Sequence, residues 1–130
     1  MYRPAQYAID ARTDLHGVIR AFPFAVIALG AAGRVELAYA PVVLDESSGK
    51  FGGIRFHLAR ANPITNLLTT CEVLASFRGP DAYISPDWYQ SRSVVPTWNY
   101  VAVEGRGPAR RLEDAELRVL LEDLSEQEIH

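Results

Sequence analysis

The sequence predicts a mainly β domain, a small β-barrel with flanking helices. Three observations carry this reading. Runs of β-forming apolar residues recur between Phe22 and Leu112, divided by glycine- and proline-containing turns. A short helical pattern precedes them and a longer amphipathic one follows. No repeat or low-complexity linker interrupts the 130 residues, enough chain for one core and not for two. Residues 1–130 are therefore expected to form a single domain. A barrel whose ends are plugged by helices fits the order helix, antiparallel strands, helix.

The elements follow in order. Thr13 and Asp14 are placed to cap a helix running to Arg20, with Leu15, Val18 and Ile19 on one face. Phe22 to Leu29 is nearly all apolar, which predicts a strand buried on both faces. Gly30-Ala31-Ala32-Gly33 is a turn, and Val35 to Leu44 is the hairpin partner. Asp45 to Gly53 is a polar loop, and Ile54 to Phe56 returns to strand. His57 to Ala61 has helical character that breaks at Asn62-Pro63, because the residue before proline avoids the helical region. Ile64 to Thr70 reads as a second helical turn. Glu72 to Arg78 alternates as a strand. A long aromatic loop over 79–100 follows, then strands at Tyr100–Val103 and Gly107–Leu112, with Gly105-Arg106-Gly107 as a bulge or bend. Leu117, Leu120, Leu121 and Leu124 recur at helical spacing and predict a final helix over Asp114–Leu124.

Composition excludes several classes. A formal net charge of −3 argues against a broad nucleic-acid-binding face, which needs an excess of Lys and Arg. Direct DNA binding is therefore not expected, and no helix-turn-helix is visible. Lys50 is the single lysine, so the other basic residues are arginines, suited to fixed contacts with phosphate or carboxylate. The lone Cys71 precludes an internal disulfide and reads as a packed thiol. No signal segment opens the chain. The apolar run from Ala21 to Ala32 is too short to span a bilayer. A cytoplasmic protein with no membrane association is expected.

Residues 79–100 hold both tryptophans and three of the six tyrosines, interleaved with Ser, Thr, Asn and prolines. Flat rings beside short hydrogen-bonding groups suit a planar heterocyclic ligand. A proline-stiffened loop whose aromatics cap the core is the alternative, and residue types alone leave both open. Elsewhere the usual catalytic signatures are absent. His16, His57 and His130 are scattered, so no metal site is expected. His57-Leu58-Ala59-Arg60-Ala61-Asn62-Pro63 puts His57 and Arg60 at a strand-to-helix junction, where backbone N–H groups could face an anion. A capped helix with a surface arginine is the competing reading. Arg92 reaches either phosphate or solvent. Asn99 pairs with either a ligand edge or backbone.

Five segments together resemble the PaiB-like family, described as FMN-binding negative transcriptional regulators. They are Met1-Tyr2-x-Pro4, Pro23-Phe24, the His57–Pro63 motif, Gly79-Pro80-x-Ala82-Tyr83-Ile84-Ser85-Pro86-x-Trp88-Tyr89 and Val95-Pro96-Thr97-Trp98-Asn99-Tyr100. The match runs over essentially the whole chain in order. The resemblance implies an FMN-binding split β-barrel related to pyridoxine-phosphate oxidase, a homodimer with FMN in clefts at the subunit interface. It implies FMN contacts from Ala25, Val26, Tyr39, Ala40, His57, Arg60, Asn62, Thr97, Trp98 and Asn99. Tyr83, Ser85, Trp88 and Arg92 join them from the same or the partner subunit.

The chain departs from the family pattern at several points. Tyr39-Ala40-Pro41 stands for the family's His-Leu-Pro, Phe56 for a glycine, Ile64-Thr65 for a tryptophan, and Glu104 for a histidine. Family members also continue through a strand that helps complete the barrel. A partner subunit or the N-terminal segment is expected to cover the edge exposed here. Three functions follow as expectations. One is a flavin-dependent redox protein or flavin carrier. A second is a transcriptional regulator acting through a partner or a small ligand. The third is a barrel that has left flavin behind and transforms another small molecule, with Tyr39 and Glu104 as candidate acid and base.

Overall fold

A computed structural model describes residues 1–85 and 97–129 of the chain. Its elements are two helices, α1 (Arg12–Ala21) and α2 (Asp114–Ile129), and five strands: β1 (Phe24–Ala31), β2 (Arg34–Asp45), β3 (Gly53–Phe56), β4 (Val73–Ile84) and β5 (Thr97–Gly107). The strands form one antiparallel sheet in the order β3-β2-β1-β4-β5.

The β1–β2 hairpin turns on two residues, Ala32 and Gly33, both with positive φ (51° and 75°). That geometry matches the right-handed twist of the flanking strands. β2 changes partner along its length. Its first two thirds, to Pro41, pair with β1, and Val42–Asp45 pairs with β3. This coiling of one long strand between two neighbours gives the mainly β, split-barrel form that the sequence predicts.

One face of the sheet carries the core. Ala25, Ile27 and Leu29 of β1 meet Ala38, Ala40 and Val42 of β2, Val73, Ala75 and Phe77 of β4, and Val103 of β5. Ile19 of α1 and Ile64 close it, with Leu15 and Val18 packed alongside. α2 lies over β2: Gln127 Nε2 donates to the Val42 carbonyl at 3.0 Å. Leu120 and Leu124 are buried beneath α2, apart from the main core cluster.

Several elements differ from the sequence expectation. α1 begins at Arg12, with Ala11 at its N-cap and no side-chain cap. Thr13 and Asp14 are inside the first turn, where Asp14 complements the helix dipole. β1 is not buried on both faces. Its alternate residues are in the core while Phe24 is exposed. His57–Ala61 is not helical, and Pro63–Asn66 is a single 3-10 turn. Pro63 ends helical backbone before it starts. Much of the expected aromatic loop is strand: β4 runs through Gly79-Pro80 to Ile84 and pairs with Thr97–Tyr100. The irregularity falls between Arg78 and Asp81, and the ladder runs unbroken through Gly105–Gly107. β5 is one strand, and residues 108–113 are not strand. The N-terminal segment reaches β5 through an ion pair, the Met1 ammonium 3.6 Å from Glu104. Among the described residues, no backbone pairs with the outer edge of β5.

Candidate functional site

Side chains alternate across a strand, so the register decides what each face displays. Opposite the core, Val26 pairs with Tyr39 on one side and Ser76 on the other, and Ser76 pairs with Glu104. Tyr39, Val26, Ser76 and Glu104 thus form one row across four strands of the outer face. The neighbouring row is Leu37, Ala28, Leu74 and Arg106. Phe24, Val35, Leu37 and Tyr39 are all exposed on this face. Phe24 and Tyr39 stack with ring centroids 6.4 Å apart and planes 14° off parallel.

Beyond the sheet body, β4 and β5 continue as an exposed two-stranded arm. A bulge between Arg78 and Asp81 shifts the side-chain alternation by one. Arg78, Asp81 and Tyr83 consequently share the outer face with Trp98 and Tyr100. Gly79 belongs to this device, because a Cβ there would stand 3.3 Å from both the Phe22 ring and Val101. The Trp98 indole N–H donates to Asp81 Oδ1 at 2.8 Å. Asp81 Oδ2 lies 3.9 Å from Arg78 Nε. Tyr83 and Trp98 rings are 5.8 Å apart at 42°. The outer face therefore presents two aromatic groups, Phe24–Tyr39 on the sheet and Tyr83–Trp98–Tyr100 on the arm.

The sequence-predicted residues divide by face. Val26, Tyr39, Tyr83 and Trp98 are on the outer face. Ala25 and Ala40 turn their side chains into the core and offer a ligand backbone only. Thr97 and Asn99 pair with Ile84 and Ala82, on the side of the arm opposite Trp98. Ser85 follows the end of β4. His57 and Arg60 are exposed in the segment after β3, without the helix dipole expected to assist them. Asn62 is committed to its turn, since its side chain accepts from the Ile64 N–H at 3.1 Å. Trp88 and Arg92 lie outside the described residues.

Tyr39 and Glu104 share a face but are separated by β1 and β4, about 14 Å at the usual strand spacing. Glu104 lies 3.6 Å from the Met1 ammonium and 3.7 Å from Arg106. It is flanked by cations, and Tyr39 is exposed against Phe24. Arg78 was not among the expected site residues. Its signal in the sequence was a cation at an outward position of an alternating strand, directly before Gly79-Pro80.

An exposed aromatic face with arginines beside it suits a planar, anionic cofactor. The chain belongs to the PaiB-like FMN-binding family. The family model described as "Putative FMN-binding domain" matches residues 1–130. The chain is 34% identical to the "Protease synthase and sporulation protein PAI 2" of Bacillus subtilis, over 90% of this chain and 56% of that protein. It is 30% identical to an uncharacterised protein of Emericella nidulans, over 72% of this chain and 51% of that one. A third relative, an uncharacterised protein of Saccharomyces cerevisiae, is 35% identical over 55% of this chain and 47% of its own length. The chain thus spans about half the length of the curated relatives it matches.

FMN is the cofactor this family assigns, and the residues present fit it. Phe24–Tyr39 and Tyr83–Trp98 could supply faces for an isoalloxazine ring. His57 and Arg60 are exposed and could meet a phosphate. Among the described residues, no helix is long and apolar enough to cross a membrane.

Proposed function

We propose that residues 1–130 form one split-barrel domain that binds FMN on its outer face, works as a homodimer, and serves as a cytoplasmic flavin-dependent redox protein or flavin carrier. One observation carries this reading: Phe24, Val35, Leu37, Tyr39, Tyr83, Trp98 and Tyr100 are all exposed on one side of one sheet. Seven large apolar side chains left in water on one face mark a surface that binds something. A planar ring sandwiched between two such faces would bury them together. The redox chemistry would belong to the flavin, which accepts and donates electrons. The chain's own part is to stack the ring, pair its polar edges and hold the phosphate. Tyr39, Val26, Trp98 and Tyr83 are the stacking group, with Ser85 as an edge partner from the arm, while Thr97 and Asn99, on the arm's other side, would offer this ring backbone only. Trp88 and Arg92 keep their proposed places as a second ring and a second cation.

Purified protein should absorb in the flavin range, or should quench the fluorescence of added FMN with saturation. Light scattering after size exclusion should give twice the chain mass. A colourless monomer that leaves FMN fluorescence unchanged at high micromolar concentration would overturn the proposal.

A second reading takes its support from a relative. The Bacillus subtilis relative is named a protease synthase and sporulation protein. A regulatory role for this chain would run through ligand sensing or a protein partner, given the net charge of −3. A ligand-dependent change in a co-purifying partner would favour it. Retardation of DNA by the isolated domain at physiological salt would replace it with direct binding.

A further inference from the structure

Arg78 is a cation built into an aromatic surface. Its partner across the ladder is Ala102 on β5, and it lies on the outer face two residues beyond Ser76, which pairs with Val26 on β1. The bulge that follows it brings Asp81 to the same face. Asp81 then does two things at once. One oxygen fixes the Trp98 indole through its N–H at 2.8 Å. The other faces Arg78 Nε at 3.9 Å. The Arg78 side chain is largely exposed, and among the described residues its two terminal nitrogens have no hydrogen-bond partner. A guanidinium's planar fork matches a carboxylate in bidentate geometry. Trp98 offers its face to a ring, tethered at its nitrogen so that it keeps one orientation.

We propose that Arg78 determines ligand specificity on this face, taking an anionic group carried directly on a planar ring that stacks on Trp98. The ligand class is an aromatic carboxylate. Arg78 and Trp98 contact the two sides of one carboxylate, so the anion and the stacked ring are held within about a ring's width of each other. The phosphate of FMN hangs from its ring by a five-carbon chain and does not meet that constraint when the same ring lies on Trp98. Asp81 is the positioning residue, since it holds both contacting groups and would repel the ligand if it faced it directly. The proposal rests on the reading of the outer face as a ligand face. It adds the substrate that would share this face with the flavin.

The test uses 2-naphthoate and its neutral counterpart 2-naphthamide as probes, titrated against tryptophan fluorescence of the purified protein. Naphthoate is expected to bind about tenfold more tightly than naphthamide, the gain of a charge-assisted pair in a partly wet site. Arg78→Gln should bring naphthoate to the naphthamide level, and Arg78→Lys should restore part of the difference. Asp81→Asn should weaken both probes and shift the indole emission. Arg78 and Asp81 are exposed, so unchanged melting temperatures will show that the variants fold. FMN and riboflavin are titrated on the same preparations. Equal naphthoate and naphthamide affinities overturn the proposal, and so does an Arg78→Gln defect confined to FMN over riboflavin, which would assign Arg78 to phosphate. FMN binding without naphthoate preference leaves the flavin reading standing and the proposal refuted. Naphthoate preference without FMN binding supports the proposal and removes the flavin reading.

Discussion

Arg55 on β3 donates to the Asp123 carboxylate on α2 at 2.8 Å, joining residues 68 apart in the sequence. The pair is the polar tie between the short edge strand and the final helix. Arg55 Nε is buried, and among the described residues it has no hydrogen-bond partner. The charge is therefore incompletely satisfied even in the intact protein. Asp123→Ala would strand it further and is expected to lower stability by about 1–2 kcal/mol in urea unfolding. The pair is partly exposed, so the larger losses of fully buried pairs do not apply. Arg55→Met with Asp123→Leu should recover most of the loss. A single variant as stable as the parent would show the tie to be ornamental.

Gly52 should be the least replaceable glycine of the β2–β3 loop. Its φ is +91°, and a Cβ there would stand 3.1 Å from His16 Nε2 and 3.2 Å from the Asp45 carbonyl. His16 is buried and its Nε2 lies 2.8 Å from the Phe51 carbonyl, which fixes the loop to α1. Gly52→Ala is expected to cost about 2–3 kcal/mol from strain and displacement of that ring. Gly49→Ala has a positive φ of +66° but meets nothing within 4 Å. It should cost about 1 kcal/mol. Thermal unfolding of the two variants side by side checks the order.

Stability should fall at acid pH partly through Glu116. Its carboxylate accepts from Arg110 at 2.7 and 2.9 Å and from the Glu113 N–H at 3.0 Å. These bonds, the Arg110 contact foremost, lower its pKa from 4.5 to about 2. A folded-state value below the unfolded one means stabilisation that is complete above pH 4.5 and lost as pH falls toward 2. Glu46, held low by Arg20, and Asp45, held low by Ser47, act in the same direction. Glu116→Gln should flatten the acid limb of the stability curve between these pH values. An unchanged limb would show that the pair is too solvated to matter.

Leu120 and Leu117 lie three residues apart on α2 and should respond differently to truncation. Leu120 is fully buried, while Leu117 is 36% exposed. Leu120→Ala is expected to cost about 3 kcal/mol and Leu117→Ala less than about 1 kcal/mol. Circular dichroism melts suffice to separate them. Similar losses would mean that α2 is seated on a different stripe.

The sequence made the antiparallel strands and the final helix legible because their apolar spacing is strict. Ala25, Ile27 and Leu29 alternate into the core, and Leu120 and Leu124 recur one helical turn apart. It misled where a local signal competed with tertiary pairing. Gly79-Pro80 is a turn signal, yet here it sits in β4 at a bulge, one of the places a strand tolerates proline. His57-Leu58-Ala59-Arg60-Ala61 has helical propensity, but Pro63 and the Asn62 side-chain bond to Ile64 N–H impose a turn instead. β1 looked buried on both faces because Phe24 and Val26 are as apolar as their core-facing neighbours. Apolar composition reports that a face is meant to be covered, not what covers it.

At the site, Tyr83 and Trp98 were legible as ring residues from their type. Their sharing of a face with each other, and not with Thr97 and Asn99, was fixed by register, which residue types do not encode. Arg78 went unnoticed because an outward arginine on a strand is ordinary. Only the Asp81 contact sets it apart.

The offset between Arg78 and Asp81 works as a phase change in the chain. One residue added or removed there would turn β4's half of the distal arm over, sending Tyr83 to the back while Arg78 stayed in front. No side chain in the arm would need to differ for the surface to be dismantled. The length of this three-residue step is thus inherited information of the same rank as the aromatic residues it aims. Relatives that keep the rings but not the step would carry a different face.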